Sequence, residues 1–587
     1  MQRLLTLLLI SLTAFSCAKW EDFDINNEQV TSMIKAGSDT INVNAHFPDQ
    51  DVRKYLHTEF QEFYQNRDYK LAWLTFDGPR AEADELLEAI DEAEFDGLNQ
   101  DNYNLALIAE VMSKVYDIET AEKMRKAWRK RKLKGKKFKE KFVEYDSAKF
   151  RTLAKLDFML TSAYLTYGSH LLAGRIDPNE DEEWFAERRV SDLSQQLSEA
   201  LESGDIAGSL NALRPQHAQY GALREAMKEY IEIKENGGLP SLSEPVAKGD
   251  SNEQVAVLNK ALSIVLKDYN KPDKMVFDDA TETALKKYQY KHSLPQTGKI
   301  DDETLTKLNR PVDYWMDQIA LTMEKLRWVK NDFKGKYVLV NVPAFQMEVI
   351  NNNKVDFQMK VIVGKTFNPT PIFSDTMEYI VFRPTWTVPR SIMTKEMLPA
   401  IKRNPGYLPA RNYQLYTSWD EDAQPIDPYS VTWDSVTVDN WKYRIVETPG
   451  ARNSLGLVKF IFPNSNNVYL HDTPADYLFS RADRNFSHGC IRVEKPAEFA
   501  QYLLGWDMTR IQESMYEGDS KTILLDKKLP VHIVYWTAWV DHNGELMLLD
   551  DLYSRDSPTL EKLHEEEERI SQSAPLGADN SSRTTKS

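Results

Sequence analysis

Tyr337-Val338-Leu339-Val340-Asn341-Val342 is the stretch at which the chain changes period. Apolar residues upstream recur at three and four; here β-branched and aromatic residues take over with turns between the runs, so a sheet begins. Phe357 to Val363, Tyr379 to Phe382, Lys459 to Phe462, Val468 to Leu470 and Val531 to Trp536 repeat the pattern. A mostly β domain is therefore expected over 335–545. Its middle, 391–456, is rich in proline, tyrosine and tryptophan and breaks the strand rhythm. That predicts an irregular insertion serving as a lid or binding loop.

Working outward toward the amino terminus, the region 46–240 reads as helical. Leu153, Leu156, Leu160, Ala163, Tyr164, Tyr167 and Leu171 share one helix face until Gly174 and Pro178 stop it. A second helix is expected from Ala81 to Ala93, with Leu86, Leu87 and Ile90 inward and Gly97 after its end. Gly238 and the stretch Pro240 to Pro245 mark a linker. Beyond it, Val255, Leu258, Leu262 and Val265, then Ala284, Leu285 and Tyr288, then Thr304, Leu305 and Leu308 predict three short helices in a small domain over 246–310. The expected class is multidomain α+β, because one core rarely serves more than about 250 to 300 residues and the chain has 587.

Both ends are read as outside the folded body. Met1-Gln2-Arg3, the apolar run Leu4 to Phe15 and Ser16-Cys17 have the form of an export signal over 1–17, too short for a span that needs about 20 apolar residues. Residues 18–45 are polar and suit a tether, and 556–587 run from acidic to Ser/Thr/Asn-rich, predicting a disordered tail. The net charge of -17 argues against nucleic acid as a partner. The basic run Lys123 to Lys141 is the local exception, read as a solvated helix or loop, with an anionic membrane surface or acidic polymer as the alternative contact.

Cys490 stands in Ser487-His488-Gly489-Cys490-Ile491-Arg492-Val493 and is one of 2 cysteines in the chain. With Cys17 at the export signal, no thiol is left to pair with it, and no cysteine-rich set exists for a structural zinc site. A thiol becomes a strong nucleophile as thiolate, which a nearby imidazole promotes. Two histidines are candidates on the residues alone: His488, two positions away, and His471 in Tyr469-Leu470-His471-Asp472-Thr473-Pro474, at the end of an expected strand.

The stretches VYLHDTP and LFSRADRNFSHGCIRVEKP resemble the active-site signature of the L,D-transpeptidases, bacterial enzymes that remodel peptidoglycan through a cysteine. Thr385-Trp386-Thr387-Val388-Pro389 with Ser391-Ile392, and Gly450 with Asn453-Ser454-Leu455-Gly456, resemble their large Gram-negative form. Phe277-Asp278, Tyr288-Gln289, Gly298 and Thr304-Leu305 resemble the three-helix peptidoglycan-binding domain, and Ser16-Cys17 a bacterial lipoprotein signal in which the cysteine is acylated. The resemblance implies Cys490 as nucleophile, His471 as general base, and the Asp472 carbonyl as the group orienting the imidazole. It implies an oxyanion hole of the Gly489 and Cys490 N–H groups, with the Tyr469 hydroxyl added. Arg492 is implied to take a stem-peptide carboxylate or to form a structural ion pair, His488 and Ser487 to position the cysteine loop, and Trp386 to line the cleft or sit in the core. The implied reaction is crosslinking of third residues of stem peptides through a cysteine thioester, with no metal, ATP or other cofactor. Stem-peptide carboxypeptidase or other cysteine hydrolase activity, or a non-catalytic cell-wall-binding scaffold, are the alternatives. Carbapenem-type inhibitors are expected to acylate the cysteine, and the implied location is the periplasm, on a membrane through a lipid at Cys17.

Overall fold

A computed structural model describes residues 27–38, 50–75, 79–115, 136–177, 189–329, 333, 335–420 and 422–572. The signal segment with Cys17, the basic run up to residue 135 and the last fifteen positions lie outside them.

The carboxy-terminal half is built on a closed barrel. Its strands are β1 (Lys336–Asn341), β2 (Gln346–Asn351), β3 (Lys354–Ile362), β4 (Phe373–Phe382), β8 (Val458–Ile461), β9 (Leu470–His471), β10 (Ile491–Val493) and β11 (Lys521–Val534), in the order β1-β11-β4-β8-β9-β10-β3-β2. The β1/β11 and β9/β10 pairs are parallel and the rest antiparallel. Closure leaves no edge strand unpaired and gives every strand an inward face. Val338, Val340, Met347, Val349, Val361, Ile380, Phe460, Leu470 and Ile491 fill it, each burial stabilising by about 2 kcal/mol.

The stretch 391–456 is folded rather than irregular. β5 (Trp386–Thr387), β6 (Tyr413–Tyr416) and β7 (Arg444–Glu447) form a three-stranded sheet in the order β5-β7-β6. Val388, Met393, Met397, Ile401, Leu415, Trp433, Trp441 and Ile445 make a core of its own. The aromatic composition that disturbs the strand rhythm supplies this core: Trp433 and Trp441 bury their rings and donate their indole N–H groups to the carbonyls of Pro428 and Tyr443, each at 2.7 Å. An indole placed this way leaves no polar atom unpaired.

The helical region packs Val30, Leu56, Phe60, Leu86, Leu156, Leu160, Leu171, Leu197 and Leu210 into one core. Val30 and Ile34 belong to a helix, Asn27–Ser38, so part of the expected tether is docked into that core instead. The third region packs Val255, Leu258, Leu262, Leu285 and Tyr288. Its helices, Glu253–Val265, Asp279–Lys291 and Asp302–Leu308, start at Asn252, Asp278 and Asp301, whose side chains accept from backbone N–H groups in the first turn.

Two elements join these regions. Helix Val312–Trp328, unexpected from the sequence reading, packs with Ala218–Glu235 and with the barrel in a single core. Helix Asp556–Gln572 replaces much of the expected disordered tail. Leu563 is buried and Lys325 pairs with Asp556, which fastens this helix to Val312–Trp328. Its buried face, Thr559, Leu563 and Glu566, is mostly polar, so the apolar pattern that usually marks a docked helix is missing from the sequence.

Candidate active site

The candidate site grows out of β8, β9 and β10. Leu470 is in register with Phe460 on one side and Ile491 on the other; His471 is in register with Lys459 and Arg492. Because side chains alternate across a strand, Phe460, Leu470 and Ile491 enter the barrel while Lys459, His471 and Arg492 share the opposite face. Tyr469 lies two residues before His471 and Cys490 two before Arg492, so both fall on that same face.

His471 is almost completely buried. Its Nδ1 lies 2.6 Å from the Asp472 carbonyl oxygen. A carbonyl only accepts, so Nδ1 carries the hydrogen and Nε2 is the basic nitrogen. Burial first, then Arg492 and, less, Lys459 pull the imidazole down to about 3 against the opposing Asp472 bond, so it is neutral at neutral pH. The Asp472 carboxylate faces elsewhere, accepting from the N–H groups of Leu457 and Thr473, each at 2.7 Å; burial pushes it up to about 6.

Cys490 is a free, half-buried thiol. Burial raises its pKa, and the Tyr469 backbone N–H, the Tyr469 hydroxyl, Arg492 and Lys459 oppose that rise. The sulfur's own hydrogen bond is to the Asn467 carbonyl, which lies 3.8 Å from Sγ; Tyr469 stacks edge-on against His471 with ring centroids 5.8 Å apart. Trp386 is half-buried and packs on the core of the insertion.

The cysteine loop is braced internally. Ser487 Oγ donates to the Cys490 carbonyl at 2.5 Å and accepts the Gly489 N–H at 3.1 Å. The Gly489 amide, expected in the oxyanion hole, is therefore turned onto Ser487, with φ of +114° at Gly489. The Cys490 N–H has no acceptor among the described residues. From outside, Thr370 Oγ1 donates to the Gly489 carbonyl and accepts the Gly364 N–H, both at 2.9 Å. Tyr553 Oη donates to the Gly364 carbonyl at 2.7 Å. The sequence reading missed Thr370 and Tyr553, since nothing in their local pattern shows that they meet.

His488 points away from the sulfur. Its Nε2 lies 2.9 Å from Glu396 Oε1 of the insertion, in a segment of π-helix, Met393–Met397, a form often found at functional sites. The geometry thus separates the two candidate histidines: His471 shares the sulfur's face and His488 links the cysteine loop to the insertion. Arg492 is half-buried, its Nε has no partner, and it forms no ion pair among the described residues. The structural ion pair considered for it is not formed. Among those residues no group of three or more His, Cys, Asp or Glu side chains is placed to hold a metal ion, and no helix is long and apolar enough to cross a membrane.

Residues 335–533 match the family described as "L,D-transpeptidase catalytic domain". The chain carries an L,D-transpeptidase catalytic domain. Residues 58–227 match the "Scaffold domain" family and 251–308 the "Putative peptidoglycan binding domain" family, in the order expected for the large form. A protein of Haemophilus influenzae described as "Putative L,D-transpeptidase" is 31% identical over 242 residues, covering 41% of this chain and 48% of that protein. The chain thus spans about half the length of the curated relative it matches. Among solved structures, an L,D-transpeptidase of Stackebrandtia nassauensis is 16% identical with a TM-score of 0.18, covering 50% of this chain and 96% of that one. An L,D-transpeptidase solved in complex with imipenem is 16% identical with a TM-score of 0.17, covering 34% of this chain and 59% of that one. Cys490, His471, Arg492, Tyr469 and Lys459 all lie within the matched L,D-transpeptidase domain.

Proposed function

We propose that this protein crosslinks the third residues of peptidoglycan stem peptides through a thioester on Cys490. The observation that carries the reading is the shared face of Tyr469, His471, Cys490 and Arg492 inside an L,D-transpeptidase domain, with Nδ1 of His471 committed to the Asp472 carbonyl. A neutral imidazole whose Nε2 is free to accept can take the thiol proton as the sulfur attacks.

The attacked group is the carbonyl joining the third residue of a tetrapeptide stem to terminal D-alanine. The Cys490 N–H and the Tyr469 hydroxyl serve the oxyanion, each such donor contributing about 3 to 4 kcal/mol to catalysis. His471 returns its proton to the leaving amine of D-alanine, and the acyl group remains on sulfur. The side-chain amine of a second stem then attacks the thioester, His471 accepts the amine proton, and the thiol is restored. The energy of the first peptide bond is conserved in the thioester, so no ATP is consumed. Arg492, with no counter-ion among the described residues, is suited to a stem carboxylate through its two-pronged guanidinium.

We further propose export through residues 1–17 and a lipid anchor at Cys17 in the periplasm. Cys17→Ser releasing the protein from the bacterial membrane fraction is the supporting result, and a wild type that already fractionates as soluble overturns it. The enzymatic reading is tested by incubating the purified protein with disaccharide-tetrapeptide and weighing the products. A crosslinked dimer supports transfer, a tripeptide alone would make the protein a carboxypeptidase, and unchanged tetrapeptide would leave a binding scaffold.

A further inference from the structure

The residue in register with His471 on the side away from Arg492 is Lys459. Its stem leaves β8 on the face that carries the sulfur, and its ammonium lies 5.6 Å from the centroid of the Tyr469 ring, which shares that face. Lys459 is half-buried, and a lysine taken out of water is ordinarily paired with a carboxylate. Lys459 forms no ion pair among the described residues, and the acids next to His471 and Arg492 in the chain, Asp472 and Glu494, and Glu396 beside the cysteine loop have other partners. Glu494 pairs with Lys360 at 3.7 Å, Glu396 meets His488, and the Asp472 carboxylate is held by two backbone N–H groups. Arg492, on the other flank of His471, is equally without a counter-ion. Two cations without a counter-ion among the described residues therefore flank His471 on the face that carries the Cys490 sulfur.

We propose that Lys459 is a positioning residue of the catalytic centre, a fixed positive charge that holds negative charge on the Cys490 sulfur. The proposal rests on the reading of Cys490 as nucleophile. An imidazolium is the usual partner of a reactive thiolate, but His471 is kept neutral by burial and by the same two cations, so the steadying charge must come from other groups. The charged and titratable groups on the sulfur's face are Lys459 from β8, Tyr469 just before β9, His471 from β9, and Arg492 from β10; His488, in the cysteine's own loop, is turned to Glu396. When the S–H bond breaks, its electron pair stays on sulfur; the proton passes to water in the resting protein and to His471 Nε2 during attack. The ring of Tyr469 beneath the ammonium holds the lysine by a cation–π contact on the face that carries the sulfur.

The test is the pH dependence of alkylation of Cys490 by iodoacetamide in the full chain, followed by peptide mass mapping so that Cys17 is not counted. The sulfur attacks the iodoacetamide carbon and iodide leaves, so the rate reports the thiolate fraction without any peptide substrate. Lys459→Met should move the inflection upward by about one pH unit and slow alkylation at neutral pH about tenfold. Lys459→Arg should restore the wild-type inflection, because it keeps the charge. Lys459→Gln, which keeps a polar end, provides a second neutral variant should the methionine protein fold poorly. An unchanged inflection in a folded neutral variant overturns the proposal, and so does an equal upward shift in the arginine variant, which would mean packing rather than charge. A shifted inflection in a protein that makes no crosslinks would sink the transpeptidase reading and leave the role of Lys459 standing.

Discussion

A Cβ at Gly456 would lie 2.3 Å from the carboxyl carbon of Asp472, and the backbone there has φ of +63°. Only glycine fits, because a side chain would have to displace the residue whose carbonyl fixes His471. Gly456→Ala should therefore lower the acylation rate at least tenfold while the barrel stays folded; unchanged acylation in a folded variant would disprove the link from Gly456 through Asp472 to the base. Gly456 was legible as part of Asn453-Ser454-Leu455-Gly456, but its reason was not, since the contact crosses from the start of β8 to the end of β9. Lys459 escaped notice for a similar cause: as one lysine in an expected strand it reads as a solvated residue until the register sets it beside His471. Cys490 and His471, in contrast, were readable from their motifs. Cys490→Ala should abolish crosslinking and His471→Ala should reduce it nearly as far. His488→Ala should cost less, since that ring meets Glu396. The same ranking should govern a carbapenem, whose strained lactam would open on the sulfur and add the mass of the drug. Intact-protein mass spectrometry should show that adduct on the wild type, none on Cys490→Ala, and slower formation on His471→Ala.

Among the elements, the strands of the barrel were legible where β-branched residues cluster, and β10 was legible only through the cysteine motif it follows. Helix Val312–Trp328 has apolar residues at Val312, Trp315, Ile319, Met323 and Leu326, a stripe at helical spacing, yet it falls between two compact domains and so passed for a connection. The segment after β11 was harder still, because its acidic composition suggests solvent. It nonetheless carries Tyr553, whose hydroxyl donates to the Gly364 carbonyl at 2.7 Å and accepts the Thr370 N–H at 3.3 Å. Gly364 and Thr370 both reach the cysteine loop, so a segment outside the matched domain holds the nucleophile in place. Tyr553→Phe removes one hydroxyl from a half-buried ring. The expected loss is about 1 kcal/mol of stability, with a fall in the acylation rate larger than any change in substrate KM. Thermal unfolding and steady-state kinetics check both, and a loss of stability with unaltered acylation would make Tyr553 structural only.

At the scale of the whole molecule, the helical region and the barrel are bound by a seam of buried polar and aromatic groups that no local pattern could disclose. Arg327 is fully buried and donates to Glu324 at 2.9 Å and to the Tyr220 hydroxyl at 2.8 Å; Arg214 pairs with Asp96 at 2.8 Å. Beside them, His217 begins helix Ala218–Glu235 by accepting the Gln219 N–H on Nδ1 at 3.1 Å, and its ring packs 4.4 Å from that of Phe333 and 5.4 Å from that of Trp536. An Nδ1 that accepts cannot carry a proton, and Nε2 is buried without a partner. Burial, helped by His532, pulls this imidazole down to about 3. Its folded-state pKa is therefore below the unfolded value of about 6.5, so its contribution to stability is fully present above 6.5 and is lost as pH falls toward 3. The expected slope is about 1.4 kcal/mol per pH unit, because the unfolded chain binds a proton that the folded one refuses. The wild type alone would not isolate it, since His471, also held near 3, adds a slope of the same sign, while Glu348, raised by burial to about 7, and Asp472, raised to about 6, act in the opposite direction over part of the same range. The difference between wild type and His217→Asn cancels those groups and keeps a side chain able to cap the helix. Denaturant unfolding at a series of pH values should show the variant less stable at pH 7 and closing the gap by about 1.4 kcal/mol for each unit below 6.5. A gap that stays constant from pH 7 to pH 5 would mean that His217 accepts a proton in the folded protein, and the seam would then have to open around a charged ring.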